Sequence, residues 1–207
     1  MIGGADTETI ALWLNDRLIQ ASKACADQFA ITIPGGSTPF PILKEMLSRE
    51  TSSLWSRVRV WPNDDRIVEE DHDASNSGKI RGHLEPAGAA IEALEEERKP
   101  PNFALTWLGM GPDGHIASLF PNTDPKVDDP HFVRRLTPDP LPPHAPFDRI
   151  TLTIPALLRT DELVFTLGGS GEKLKVFEEA RAGNNDLPIA RLLEGTRGRG
   201  ISITCFT

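Results

Sequence analysis

Short apolar runs, largely β-branched, recur along this chain, and between them lie stretches with apolar residues at helical spacing. Phe29–Ile33, 58–61, Phe103–Leu108, 149–154, 163–167 and 201–205 read as strands. Residues 7–27 carry Ile10, Ala11, Leu14, Leu18, Ala21 and Cys25 at helical spacing, and 39–49 carry Phe40, Leu43 and Leu47. Asp6 or Thr7 would cap the first of these helices. Further helices are predicted for 75–84, 173–182 and 189–193. A solvated acidic helix is predicted for 87–98, with Glu95-Glu96-Glu97 on its exposed face and Pro100-Pro101 as its stop. Residues 62–74 read as a long polar loop. Residues 121–147, rich in proline and without periodicity, read as an irregular excursion of a kind that is often functional. Strands that alternate with helices specify an α/β fold: a three-layer, largely parallel open sheet with helices on both faces. The 207 residues suit one domain over 1–207, and 39% hydrophobic residues suffice for its core.

Charge and cysteine usage narrow the partners. The net charge of −8, without clustered Lys and Arg, argues against nucleic acid. No apolar run is long enough to span a bilayer, so no membrane partner is expected. The N-terminus lacks a basic segment followed by an apolar one, so no signal peptide is expected. Cys25 and Cys205 stand far apart and read as free thiols in a reducing cytoplasm. The five histidines are scattered and no HExxH occurs, so nothing in the pattern requires a metal.

Open parallel sheets bind ligands beyond the carboxyl ends of their strands. Four such ends carry chemically loaded loops. After Phe103–Leu108 comes Gly109-Met-Gly111-Pro-Asp113-Gly114-His115. Its glycines allow a tight turn with close backbone approach. His115 could act as general base, with Asp113 fixing its tautomer. A lone loop histidine is more often structural, but the glycines and the strand-end position reverse that preference here. The segment also matches the dinucleotide fingerprint GxGxxG. Against that reading stand the charge of Asp113, the late place of the unit in the chain, and the lack of a strand-end acid about 20 residues on.

Pro34-Gly35-Gly36-Ser37-Thr38-Pro39 offers backbone N–H groups and hydroxyls at a helix start. That makes either a phosphate cradle or a plain capped turn. Trp61-Pro-Asn-Asp64-Asp65-Arg66 could hold sugar hydroxyls and phosphate, although the bare pattern favours a surface ion pair. Asp73-Ala-Ser-Asn76 reads as a helix cap. Gly168-Gly-Ser-Gly-Glu-Lys173 adds N–H donors and a lysine suited to phosphate, or is a glycine-rich turn with Lys173 solvated. Neither a P-loop nor a serine-hydrolase elbow is present.

Together these loops resemble the 6-phosphogluconolactonase family, whose fold is shared with glucosamine-6-phosphate deaminases. The resemblance runs from about residue 30 to the end. It rests on 35–39, Asp64-Asp-Arg-Ile-Val68, Ser75-Asn76, the long motif 108–121, Arg149-Ile-Thr-Leu-Thr153 and the glycines before Lys173. The Ala-Ser-Leu-Phe-Pro ending (117–121) is the lactonase form; the deaminases place an acid shortly after the histidine. This chain has Asp65 where the family reads Glu, and Ser170 where it places a glycine.

The resemblance implies a glucosamine-6-phosphate deaminase type of fold. It also implies cofactor-free hydrolysis of 6-phospho-D-glucono-1,5-lactone to 6-phospho-D-gluconate, in the oxidation of glucose 6-phosphate by the pentose phosphate or Entner–Doudoroff route. On the same basis His115 would activate water, with Asp113 in support, and Arg66 would contact substrate or developing charge near the lactone. Gly35, Gly36, Ser37, Thr38, Asp64, Arg149 and Lys173 would bind the substrate or its phosphate. A monomer or small homo-oligomer in the cytoplasm is expected. Two other readings are an amino-sugar-phosphate deaminase, which the missing acid disfavours, and a sugar-phosphate sensor, which would need a DNA-binding segment.

Overall fold

A computed structural model describes residues 1–49, 52–143, 145–168 and 171–207. The chain runs α1 (Thr7–Ala24), β1 (Phe29–Ile33), α2 (Pro39–Leu47), α3 (Ser52–Trp55), β2 (Val58–Pro62), β3 (Asp64–Arg66), α4 (Asn76–Leu84) and β4 (Ala90–Ile91). It continues through β5 (Phe103–Leu108), β6 (Val133–Leu136), β7 (Arg149–Leu152), α5 (Ile154–Leu157), β8 (Glu162–Thr166), α6 (Gly171–Arg181), α7 (Pro188–Gly195) and β9 (Ser202–Phe206). Asp6 caps α1, accepting from Thr9 N–H at 2.8 Å.

Six strands form one sheet in the order β4-β2-β1-β5-β8-β9, and every neighbouring pair is parallel. All residues of β1 are buried, as befits a parallel strand covered on both faces. Alternate side chains feed two cores. Ile31 and Ile33 of β1 and Val164 of β8 join Leu14, Leu43, Trp55 and Ile80. Ala30, Leu163 and Phe165 join Phe177, Ile189 and Leu192. The helices thus cover both faces, as strand–helix alternation predicts. Among the described residues no helix is long and apolar enough to cross a membrane.

Three expectations are corrected. The stretch 87–98 is not helical. After a short 3-10 turn at Glu85–Ala87 the chain adds β4 to the open edge of β2, and Glu92 N–H donates to Val60 O at 2.8 Å. Glu92 is buried between Arg59 and Arg98 rather than solvated. An unpaired strand edge offered more than local helix propensity did. The loop 62–74 contains β3, and the excursion 121–147 contains β6. With β7 they form a second, antiparallel sheet in the order β3-β7-β6. Neither strand is long enough to show a period. Asn63 stitches the two sheets together: its N–H donates to Ile33 O, its Nδ2 to Trp107 O, and its carbonyl accepts from Leu152 N–H.

Asp65 does not face the site. Its carboxylate accepts from the Asn76 N–H at 2.6 Å and the Ser77 N–H at 2.9 Å, the first orphan donors of α4. Ser75 caps the same helix toward Gly78 N–H at 3.0 Å. The shorter acid at the position where the related motif has Glu is therefore a cap for α4. Asp65→Ala is expected to lower the unfolding free energy by about 2 kcal/mol, the scale of a lost cap plus a buried charge-assisted hydrogen bond. Urea denaturation checks this, and an unchanged midpoint would count against it.

Candidate active site

The order of strands decides where the loops meet. The chain builds outward from β1 to β2 and β4, then crosses to β5 and proceeds to β8 and β9 on the other side. The direction reverses between β1 and β5, and a crevice opens beyond the carboxyl ends at such a switch point. The loops after β1 and β5 flank it, and those after β2 and β8 stand one strand further out. A cavity of about 330 Å3 lies there, lined by residues of all four. A larger open hollow of about 650 Å3 lies between α6, α7 and residues 125–128. It holds none of the strand-end groups, and its Arg191 is engaged by Asp124 and Asp186.

Of the residues singled out from sequence, Gly35, Gly36, Ser37, Thr38, Asp64, Arg66, His115 and Lys173 line the cavity together. Gly36 adopts φ +86°, a left-handed conformation in which most side chains are strained. Thr38 precedes Pro39 at the first turn of α2, and its side chain makes no capping bond. The hydroxyls of Ser37 and Thr38 thus stand at the cavity by the positive end of the α2 dipole, although Pro39 and Pro41 in its first turn have no N–H to donate, and Lys173 faces the same space from α6. Gly169 and Ser170, part of the glycine-rich run before Lys173, lie outside the described residues.

Asp113 does not line the cavity, and its side chain is half-exposed. Its Oδ1 lies 2.6 Å from His115 Nδ1. Burial works to raise its carboxyl, but the hydrogen bond and charge of His115 outweigh this and hold it below the usual aspartate range. With Asp113 ionised, the contact needs the proton on Nδ1, which leaves Nε2 as the basic nitrogen. Phe120 packs on the imidazole with centroids 4.8 Å apart. The local turn is closed by Gly111 N–H to His115 O at 2.9 Å and Gly114 N–H to Gly111 O at 3.0 Å. Gly111 has no room for a side chain: a Cβ would sit 2.2 Å from the His115 ring and 2.6 Å from Asp113 Oδ1.

Arg149 does not line the cavity either. It is directly opposite Arg66 across β3 and β7. It is 2% exposed, donates from Nη2 to Ala145 O at 2.7 Å, and its Nε and Nη1 lack a partner. Burial and the neighbouring Arg66 lower its pKa against the pull of Asp64 and Asp65. Arg66 donates from Nη1 to Ala74 O at 2.8 Å, while its Nε is unpartnered. Like charges at directly opposed positions cost stability, and the charges of Asp64 and Asp65 work against that repulsion at Arg149.

Asp64 is the acid that lines the cavity. Burial pushes its carboxyl above the usual aspartate range, further than the Ser118 hydrogen bond and the charges of Arg66 and Arg149 pull it down. Ser118, Asn76, Ala117 and Thr166 were not singled out as site residues from sequence, yet Asn76, Ala117 and Thr166 line the cavity and Ser118 Oγ donates to Asp64 Oδ2 at 2.5 Å. That bond joins positions 54 apart, and no local pattern announces it.

Comparison with known proteins agrees with this architecture. The family model for glucosamine-6-phosphate isomerases and 6-phosphogluconolactonases matches residues 5–92 and 83–200. A 6-phosphogluconolactonase of Mycobacterium tuberculosis is 30% identical over 211 residues, covering 87% of this chain and 83% of that protein. One of Caulobacter vibrioides is 32% identical over 192 residues, covering 83% and 80%. Among solved structures, the 6-phosphogluconolactonase of Shewanella baltica superposes with a TM-score of 0.79 at 24% identity, covering 100% of this chain and 97% of that one. The Thermotoga maritima 6-phosphogluconolactonase gives 0.80 at 21%, covering 99% and 97%. These superpositions extend the shared fold over the whole chain.

Two outcomes are expected. Gly111→Ala folds but pushes His115 off Asp113. Imidazole NMR would report loss of the Nδ1–H hydrogen bond, and an unchanged spectrum would contradict the packing. Between the ordinary aspartate value, about 4, and the raised value of Asp64, the folded state keeps a proton that the unfolded chain sheds. Wild-type stability therefore falls with rising pH relative to Asp64→Asn in that window. Urea melts of both proteins across it would reveal the opposite slope if the carboxylate were well satisfied.

Proposed function

The chain belongs to the family of glucosamine-6-phosphate isomerases and 6-phosphogluconolactonases, and from that premise we propose that it is a 6-phosphogluconolactonase. It hydrolyses 6-phospho-D-glucono-1,5-lactone to 6-phospho-D-gluconate, consuming the lactone that oxidation of glucose 6-phosphate supplies. One observation carries the assignment of roles: a His115–Asp113 pair on the rim of a cavity whose other side is a helix N-terminus with free hydroxyls and a lysine.

The phosphate lies against the N–H groups of Gly35 and Gly36, the hydroxyls of Ser37 and Thr38, and Lys173. Anchoring that end positions the lactone carbonyl for attack. A water molecule attacks C1 while Nε2 of His115 takes its proton. Asp113 stabilises the imidazolium and keeps the ring oriented. The tetrahedral oxyanion is met by Arg66, with the charge of Arg149 behind it. The imidazolium then protonates the ring oxygen as the C1–O5 bond breaks, and 6-phosphogluconate leaves.

His115→Ala is expected to lower turnover at least about a hundredfold, the scale of a lost general base. The assay generates the lactone in situ from glucose 6-phosphate at mildly acidic pH, which suppresses spontaneous hydrolysis. A folded variant that keeps near-full rate would remove His115 from the mechanism.

A further inference from the structure

The turn that carries His115 is gripped from outside the cavity, on two sides. On one side the Gly114 carbonyl accepts from Ile189 N–H at 3.2 Å. Ile189 stands in the first turn of α7, a helix that no side chain caps. An orphan donor of that helix thus fixes the peptide group that leads into His115. The fit is close: at Gly114, φ +77°, a Cβ would sit 2.8 Å from Leu187 Cδ1 and 3.3 Å from Ile189 Cγ2. On the other side Phe120 lies on the imidazole, with centroids 4.8 Å apart. Phe120 enters a tight 3-10 turn: its carbonyl accepts from Thr123 N–H at 3.0 Å, and its N–H donates to Thr123 Oγ1 at 3.2 Å. That turn ends at Asp124.

One side chain joins the two grips. Arg191, one turn along α7, donates from Nε to Asp186 Oδ1 at 2.9 Å and from Nη2 to Asp186 Oδ2 at 2.7 Å, a bidentate pair. Its Nη1 donates to Asp124 Oδ1 and, at 2.9 Å, to Pro125 O. Asp186 directly precedes the segment 187–189 that rests on Gly114, and Asp124 closes the turn that begins at Phe120. The hydrogen bonds to Asp186 and Asp124 hold the guanidinium above the ordinary arginine range.

Both carboxylates are exposed, and ion pairs with exposed partners add little stability. What the planar fork of a guanidinium supplies instead is geometry, because its donors fix the directions of several acceptors at once. Arg191 lies on the open hollow between α6 and α7 and not on the cavity that His115 lines. Any influence it has on the imidazole therefore passes through the two segments it ties together.

We propose that Arg191 is a positioning residue for His115: it pins the start of α7 to the turn that begins at Phe120, and so holds the imidazole between them in the orientation that water activation requires. The proposal rests on the lactonase reading above.

Lactonase kinetics and NMR of the His115 ring protons are compared for wild type, Arg191→Ala, Arg191→Lys and Arg197→Ala. Arg191→Ala is expected to lower kcat by about 10- to 100-fold, the scale of a misplaced catalytic group. KM stays within about twofold, because the lost interaction is not one that binds substrate. The ring-current displacement that Phe120 imposes on the His115 protons shrinks. Arg191→Lys keeps the charge without the fork and stays closer to Arg191→Ala than to wild type. Methylguanidinium below denaturing concentration enters from the open hollow and restores rate to Arg191→Ala, whereas methylammonium does not. Arg197→Ala, on the same hollow but paired with Glu194, keeps the wild-type rate and spectrum. Should Arg191→Ala fail to fold, Asp124→Asn and Asp186→Asn cut one arm each and are expected to lower kcat in smaller measure. A folded Arg191→Ala with unchanged kcat, a loss confined to KM, or a His115 ring that does not move overturns the proposal. If wild type hydrolyses no lactone, the lactonase reading fails, and the NMR comparison decides by itself: a displaced ring in Arg191→Ala supports the positioning role, and an unmoved one overturns it.

Discussion

The parallel pairing of β1 with β2 on one side and β5 on the other is the constraint from which the site follows. Because β1 starts the sheet and the chain later returns to its other edge, the loops after β1 and β5 face each other across a gap that no connection fills. The Gly-Ser-Thr loop at 34–38 comes from one side of that gap and the His115 turn from the other. Asn63 locks the second sheet onto this arrangement through Ile33, Trp107 and Leu152, one residue from each of β1, β5 and β7. Asp64 and Arg66 follow Asn63 directly, so the register of that junction sets their place in the cavity.

Electrostatically, the site opposes the rest of the molecule. The chain carries −8 overall, yet Arg66, Arg149 and Lys173 gather at one crevice with the N-terminus of α2. The acids nearby are committed to other partners: Asp65 to the first turn of α4, Asp113 to His115, and Asp64 to Ser118. Two arginines directly opposed across β3 and β7 would be unfavourable on a bare surface. Both keep N–H groups without a partner, Nε of Arg66 and Nε and Nη1 of Arg149.

Much of this was legible from residue order, and what was not has identifiable causes. The central strands are short, largely apolar runs, and burial on both faces makes such runs conspicuous. The helices 7–27 and 39–49 were readable from spacing, with ends that fray by two or three residues. The stretch 87–98 was misread because its Glu and Ala content favours a helix, whereas the open edge of β2 recruited it as β4. β3 and β6 escaped because Asp64-Asp-Arg66 and Val133-Arg-Arg-Leu136 are too short to carry a period, and β3 pairs with β7, which lies far along the chain. At the site, the glycine turns and the Asp113–His115 spacing were visible because those contacts are local.

The sequence by itself determined the alternation of elements, the chemistry at each strand end and the Asp–His pair, since all of these depend on residues within a few positions of one another. Tertiary structure alone decided which strand ends stand side by side, that Asp65 caps a helix while Asp64 faces the cavity, and that Arg149 lies opposite Arg66 behind the wall. It also decided that Ser118 holds Asp64. Adjacent residues on a strand point to opposite faces, and which face becomes a cavity depends on the partner strand, whose identity is fixed only when the sheet closes.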